Sequence, residues 1–253
     1  MAPSLDSHVW ATLFPLPWTA YVRLMAVKDD HVRAFYEMEA LRNGWTITQL
    51  KRQIASQLYE RTALSRDKAT MLVRGQREAD QADPEPPVSA AFRDPFILEF
   101  LNLKDEYSET DLEEALLAHL ADFLLELGDD FAFVGRQRRL RLDDTWFRVD
   151  LVFFHRRLRC LVLIELKQGR FSYADAGQMT LYLNYARANW VKEGENPPIG
   201  LILCAEKGAD EAHYALDGLP NPVLAAEYKL VLPDVAILAN ELSRTREQLE
   251  QRS

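Results

Sequence analysis

Between residues 131 and 168 the chain carries three consecutive runs of strand character, "FAFVGRQRRLRL", "WFRVDLVFFH" and "RCLVLIELK". Their connectors, "DDT" and "HRRLR", are short enough to suit antiparallel hairpins. A helical run, "ETDLEEALLAHLADFLLELG", precedes them and is stopped by Gly128; a second, "YADAGQMTLYLNYARANWV", follows. The apolar "PIGLILCAE" then reads as a buried fourth strand, "NPVLAAEYKLVLP" as another short one, and "DVAILANELSRTREQLEQR" as a closing helix. Helix, three strands, helix and strand in that order imply an α/β sandwich around a mixed sheet.

Two of these runs hold an acid where a core strand normally excludes charge. Fourteen residues separate Asp150 from Glu165, enough for the rest of one strand, a turn and the returning strand. Adjacent antiparallel strands therefore bring the two carboxylates side by side. Lys167 lies two residues past Glu165, so the period of two points both to one face. Close carboxylates do not both ionise freely without a counter-charge. A hard divalent cation such as Mg²⁺, held by oxygen ligands and waters, is the usual answer. Lys167 then suits an attacking water or an anionic phosphate.

The preceding helix offers a third acid. At ~100° per residue, Glu113 lies roughly 60° from Leu116, at the margin of the apolar stripe, and Glu114 about 160° away, towards solvent. Glu113 is thus the acid expected to face the sheet. Gln178 opens the following helix with Tyr182 one turn later; a phosphate- or water-holding amide and a plain surface glutamine both fit it.

The N-terminal stretch reads as three short helices, over "WTAYVRLMAV", "DDHVRAFYEMEAL" and "WTITQLKRQIASQLYER". In the last, Thr46 and Gln49 form a capping-box pattern, Ile47, Leu50, Ile54 and Leu58 keep helical spacing, and Lys51, Arg52, Gln53 and Arg61 fall on the opposite face. A helix-turn-helix-like, winged-helix-like binding unit and a plain helical docking unit remain equal readings. The proline-rich "READQADPEPPVSAAFRDP" reads as a linker. The expected organisation is a helical domain over 1–76, a linker over 77–95 and a second domain over 96–253.

Net charge is −9, yet its distribution is uneven: residues 105–130 hold ten acids and no Lys or Arg, while residues 136–170 hold ten Lys/Arg against four acids. Such a basic stretch is compatible with a phosphate-binding face, with Arg136 and Arg138 as contacts beside Lys51 and Arg52 of the N-terminal unit. It is equally compatible with a salt-bridged surface. No run approaches the ~18–20 apolar residues of a membrane span, and two cysteines in apolar runs, Cys160 and Cys204, argue against a disulfide framework and suit a reducing cytoplasm. His119 and His213 lack partners at zinc-ligand spacing. His155 sits at a hairpin turn, and Glu206 with Lys207 reads as a strand-end ion pair.

A helical Glu113, Asp150 on a strand, "ELK" at 165–167 and Gln178 on the next helix together resemble the PD-(D/E)xK nuclease superfamily. The stretch from "LLELGDDFAFVG" to "LYLNYAR" is similar to its YhcG-type bacterial branch, and "LPWTAYVRLM" and "GWTITQLKRQIASQLYER" to that branch's N-terminal helical domain. The resemblance implies a restriction-endonuclease-like α-β-β-β-α-β core. It implies Mg²⁺ or Mn²⁺ bound by Asp150 and Glu165 with Glu113, a water oriented by Lys167, and Gln178 at the site. It also implies DNA as substrate, a bacterial cytoplasmic setting in DNA processing or genome defence, and homo-oligomers or restriction-type partner subunits. Val149 stands where the motif has proline, and the N-terminal domain is expected to be truncated. A nucleic-acid-binding or assembly module with a weak or inactive nuclease domain stays open as the alternative.

Overall fold

The computed structural model describes residues 14–64, 92, 94–104, 106–128, 130–234, 237–238, 240, 242–245 and 247. The chain divides into two compact units, residues 68–232 and residues 1–67 together with 233–253. Among the described residues no helix is long and apolar enough to cross a membrane.

The larger unit is built on a six-stranded mixed sheet. Its strands are β1 (Phe96–Ile97), β2 (Phe131–Leu142), β3 (Thr145–His155), β4 (Cys160–Arg170), β5 (Asn196–Glu206) and β6 (Val223–Lys229), in the spatial order β1-β6-β5-β4-β3-β2. β2, β3 and β4 run antiparallel through the two expected hairpins, whereas β4, β5, β6 and β1 pair parallel. The parallel strands are covered on both faces, which is why β5 is a nearly continuous apolar run. One core contains Leu112, Leu116, Phe123, Phe153, Ile164 and Leu203; the other contains Val152, Leu163, Met179, Leu183, Ile202 and Cys204. Gly200 lets the second helical layer approach closely, because a Cβ there would collide with the side chain of Met179.

For the N-terminal unit's helices we use α1 to α3; the larger unit's helices are α4 (Glu109–Ala118), α5 (Leu120–Leu127), α6 (Tyr173–Asn189) and α7 (Ala209–Leu216). The single helix expected over 109–128 is two, broken at His119 (φ −110°, ψ 33°). The break lets each half bury its own face. The Glu126 side chain is fully buried and accepts the Ile97 N–H at 2.9 Å, so it secures the start of β1. Neither β1 nor α7 was expected, both being too short to give a period. Phe92, inside the stretch read as linker, packs in the first core against Phe131; residues 77–91 and 93 of that stretch lie outside the described residues.

The N-terminal unit holds α1 (Trp18–Leu24), α2 (Asp30–Asn43), α3 (Ile47–Ala55) and a further helical stretch over 58–64. The Thr46–Gln49 capping box is present. The continuous helix expected through Arg61 is interrupted where Gln57 takes φ 51°. Two residues expected on the outer face, Gln53 and Arg61, are fully buried. Arg61 folds back on the end of α3, donating from Nε to the Ser56 carbonyl at 2.7 Å and from Nη2 to Ser56 Oγ at 3.0 Å. A cation there satisfies orphan carbonyls at the negative end of the helix. Of the closing helix expected over 234–252, Asp234 is not helical whereas residues 237, 238, 240, 242–245 and 247 are, and Leu238 and Leu242 join a small cluster with Leu64.

Candidate active site

The three central strands do not stay together along their whole length. The β3–β4 ladder runs from His155 opposite Cys160 to Leu151 opposite Ile164. Beyond that point β3 remains paired with β2 as far as Leu142 opposite Thr145, and β4 remains with β5 as far as Arg170 opposite Glu206. The sheet forks, and Asp150 and Glu165 are the first residues past the last rung. Their carboxylates replace the missing ladder: Leu166 N–H donates to Asp150 Oδ2 at 2.9 Å, and Asp150 N–H donates to Glu165 Oε1 at 3.4 Å. The β3 strand also turns over here, since Leu151 packs in the first core and Val149 in the second.

Each surrounding residue arrives on its own element. Position 137 of β2 lies opposite Asp150, and Gln137 adopts φ 47°, a left-handed conformation unusual for a non-glycine residue. Gln137 Nε2 donates to Glu113 Oε2 at 2.6 Å, and its Oε1 accepts from Arg148 Nη1 at 3.2 Å. Glu113 is 5% exposed on the inner face of α4, with Oε1 buried and lacking a hydrogen-bond partner, while Glu114 is exposed. From α6, Gln178 Nε2 donates to Tyr182 Oη at 2.6 Å and reaches Glu165 Oε2 at 3.4 Å. Lys167 Nζ is 3.7 Å from Asp175 Oδ1, and Asp175 is itself fixed by its capping box with Ser172 at the start of α6.

Burial dominates the electrostatics. It pushes the Glu165 carboxyl up to about 8, with the Asp150 charge raising it further and Lys167 pulling it down. Asp150 is pushed up to about 6, again first by burial; the Leu166 N–H bond opposes this, Glu113 adds to it, and Lys167 opposes it. Two acids thus meet at one fork, Glu165 buried and Asp150 half-buried, and each is discouraged from ionising.

Residues 89–243 match the YhcG PDDEXK nuclease domain, and residues 4–61 match the DUF1016 N-terminal domain. The chain belongs to the YhcG PDDEXK nuclease family. Its core runs α-β-β-β-α-β around a mixed sheet, in the order expected from the sequence. The chain is 64% identical over 250 residues to the Escherichia coli (strain K12) protein named "Putative nuclease YhcG", an overlap of 97% of this chain and 66% of that protein. It thus spans just under two thirds of that relative's length. Two solved structures align over 52% of the chain: a repair endonuclease from Pyrococcus abyssi (18% identity, 50% of that chain, TM-score 0.35) and EndoMS in apo form (15%, 49%, TM-score 0.34).

The family's nuclease chemistry generally calls for a divalent metal, and the fork fits one in part. Asp150 and Glu165 bring carboxyl oxygens to one fork, and Mg²⁺ commonly binds through one or two carboxylates while keeping several waters. Among the described residues no three His, Cys, Asp or Glu side chains gather into a metal-ligating cluster. The unpartnered Oε1 of Glu113 leaves an acceptor for a water beside the pair.

Of the basic candidates, Arg136 is exposed on β2, but the Arg138 guanidinium lies 4.1 Å over the Trp190 ring and is committed to that stack. Lys51 and Arg52 stand on α3 of the other unit. His155 is buried, its Nδ1 accepting from Leu158 N–H at 3.1 Å, and burial lowers its pKa. Glu206 and Lys207 do not pair with each other: Arg170 lies 3.5 Å from Glu206, and Lys207 bonds Asp94. Gln137 and Asp175 went unread in the sequence. A polar residue on an edge strand and an acid in a first helical turn carry no period that marks them.

Proposed function

We propose that this chain is a divalent-metal-dependent nuclease that hydrolyses phosphodiester bonds of DNA, with Asp150 and Glu165 as the metal-holding carboxylates. The observation that carries the reading is the fork, where a buried and a half-buried acid, both with raised pKa, replace main-chain rungs. A fold keeps ionisable groups in that setting at a cost in desolvation, and a bound cation offsets the cost. Mg²⁺ or Mn²⁺ held there would supply Lewis-acid stabilisation of the reacting phosphate and lower the pKa of bound water.

The chain's own residues do the positioning. Lys167, steadied by Asp175, points a compact ammonium towards the same fork and stabilises charge developing on phosphate. Gln178, anchored on Tyr182, holds Glu165 Oε2 and so fixes which oxygen faces the site. Glu113, held by Gln137, offers its free oxygen to an attacking water. Family membership and the relative's name support nuclease chemistry; the setting in bacterial DNA processing or genome defence rests on the same kinship.

The test is direct. Purified protein is incubated with single-stranded and duplex DNA in Mg²⁺, in Mn²⁺ and in EDTA. Metal-dependent cleavage that EDTA abolishes is expected. Cleavage unaffected by EDTA, or none with any substrate and metal, overturns the reading.

A further inference from the structure

Past the fork, β2 and β3 continue as a two-stranded arm whose faces differ sharply. Arg138, Leu140 and Leu142 pair with Val149, Phe147 and Thr145, and this face is turned to α6: Leu140 and Val149 are buried in the second core and Phe147 packs against Tyr182. The opposite face is formed by two cross-strand pairs, Arg139 with Arg148 and Arg141 with Trp146. All four side chains are exposed, Trp146 by 63%.

The first pair is the unusual one. Like charges directly across a strand pair repel, and among the described residues Arg139 forms no ion pair while Arg148 meets only the neutral Gln137 amide. That bond joins the pair, through Gln137, to Glu113 beside the carboxylate fork. Two exposed guanidiniums on neighbouring strands offer a seat to an anion, and a phosphate, with several acceptor oxygens, suits their fork geometry. Two residues further out, at ~3.3 Å per residue, Trp146 presents an exposed indole. Arg141 is occupied: it salt-bridges Asp144 at 2.9 Å, and its guanidinium lies 5.8 Å over the Trp146 ring, bracing it. An exposed aromatic beside unpaired arginines is the combination that holds single-stranded nucleic acid, phosphate on the cations and base on the ring. A base within a duplex is already stacked on both sides and cannot use the indole.

We infer that this face of the arm seats a single-stranded segment of the substrate, with a phosphate between Arg139 and Arg148 and an unpaired base stacked on Trp146. The inference rests on the nuclease reading for its substrate, and it moves the nucleic-acid contact from Arg138 to Arg139, Arg148 and Trp146. Binding of fluorescein-labelled oligo(dT) and of a blunt duplex is measured by anisotropy in EDTA for the wild type, Trp146→Ala, Trp146→Phe and Arg139→Ala. Trp146→Ala should weaken oligo(dT) binding by about tenfold or more, leave duplex binding within about twofold, and be rescued by Trp146→Phe. Arg139→Ala should reduce the log–log salt slope on oligo(dT) by about 0.7, one phosphate's share on a single strand. Equal loss on both ligands, or no loss, in Trp146→Ala overturns the inference, as does an unchanged salt slope in Arg139→Ala. Cleavage is scored separately. A protein that binds in this way and never cuts keeps this inference and loses the nuclease reading; one that cuts while Trp146→Ala binds normally does the reverse.

Discussion

The two ends of the β3–β4 pair are made from the same strands and solve opposite problems. At the closed end His155 faces Cys160 across a complete ladder, aromatic rings pack round the imidazole, and burial favours its neutral form. At the forked end the ladder stops, two carboxylates take over its hydrogen bonds, and burial again penalises charge. The closed end can settle into neutrality. The forked end keeps two acids and a lysine together although burial disfavours the charged form of both acids. One end of the strand pair is closed by main-chain bonds, and the other is closed by the side chains proposed to carry the chemistry.

The comparison breaks if the ends respond alike to substitution. Phe153, ringed by Phe123, Phe131 and Phe133, should on change to Ala cost about 3–5 kcal/mol in chemical unfolding. The folded fraction should bind Mn²⁺ as before. Lys167→Ala should do the converse, leaving unfolding nearly unchanged and slowing single-turnover cleavage by ~10²–10³. Lys167→Arg should rescue poorly, because a planar fork does not replace a compact ammonium. Near wild-type cleavage in Lys167→Ala would reduce that lysine to a counter-charge.

Smaller effects sharpen the picture. Glu113→Gln should lower the cleavage rate by about tenfold, a barrier change of ~1.4 kcal/mol, and Glu114→Gln should leave it unchanged. Equal effects would remove Glu113 from the site. The raised Glu165 pKa has a stability consequence in metal-free protein. The native state keeps a proton that the unfolded chain loses above its ordinary carboxyl range, so Glu165 favours the fold in acid and that contribution is lost as pH rises through about 8. Glu165→Gln should therefore match the wild type in Tm near pH 5 and exceed it near pH 8, by at least ~2–4 °C, the shift that about 1 kcal/mol gives a domain of this size. A variant less stable than the wild type at pH 8 would mean that the carboxylate earns its place structurally.

Much of this was legible in the chain because strand alternation and hairpin length are local signals. The three strands, the Thr46 capping box and the inward phase of Glu113 all follow from short-range periodicity. The breaks at His119 and Gln57 were not legible, since each depends on how the next segment packs. Arg61 shows the consequence: one left-handed residue at 57 takes a guanidinium from an expected solvent face to full burial. Gln137 is the same lesson at the site. Its left-handed backbone opposite Asp150 is a tertiary fact, and only the folded sheet joins it to Glu113 and Arg148.

The central claim is that the forked carboxylates hold a divalent cation, and calorimetric titration of Mn²⁺ into metal-free protein tests it most directly. Wild-type protein should bind Mn²⁺ more tightly as pH rises from about 6 to about 8, because protons compete for Asp150 and Glu165 across that range. Asp150→Asn and Glu165→Gln should each weaken binding by at least ~10-fold, a change of ~1.4 kcal/mol, while remaining folded. Unchanged Mn²⁺ affinity in both folded variants would contradict the account.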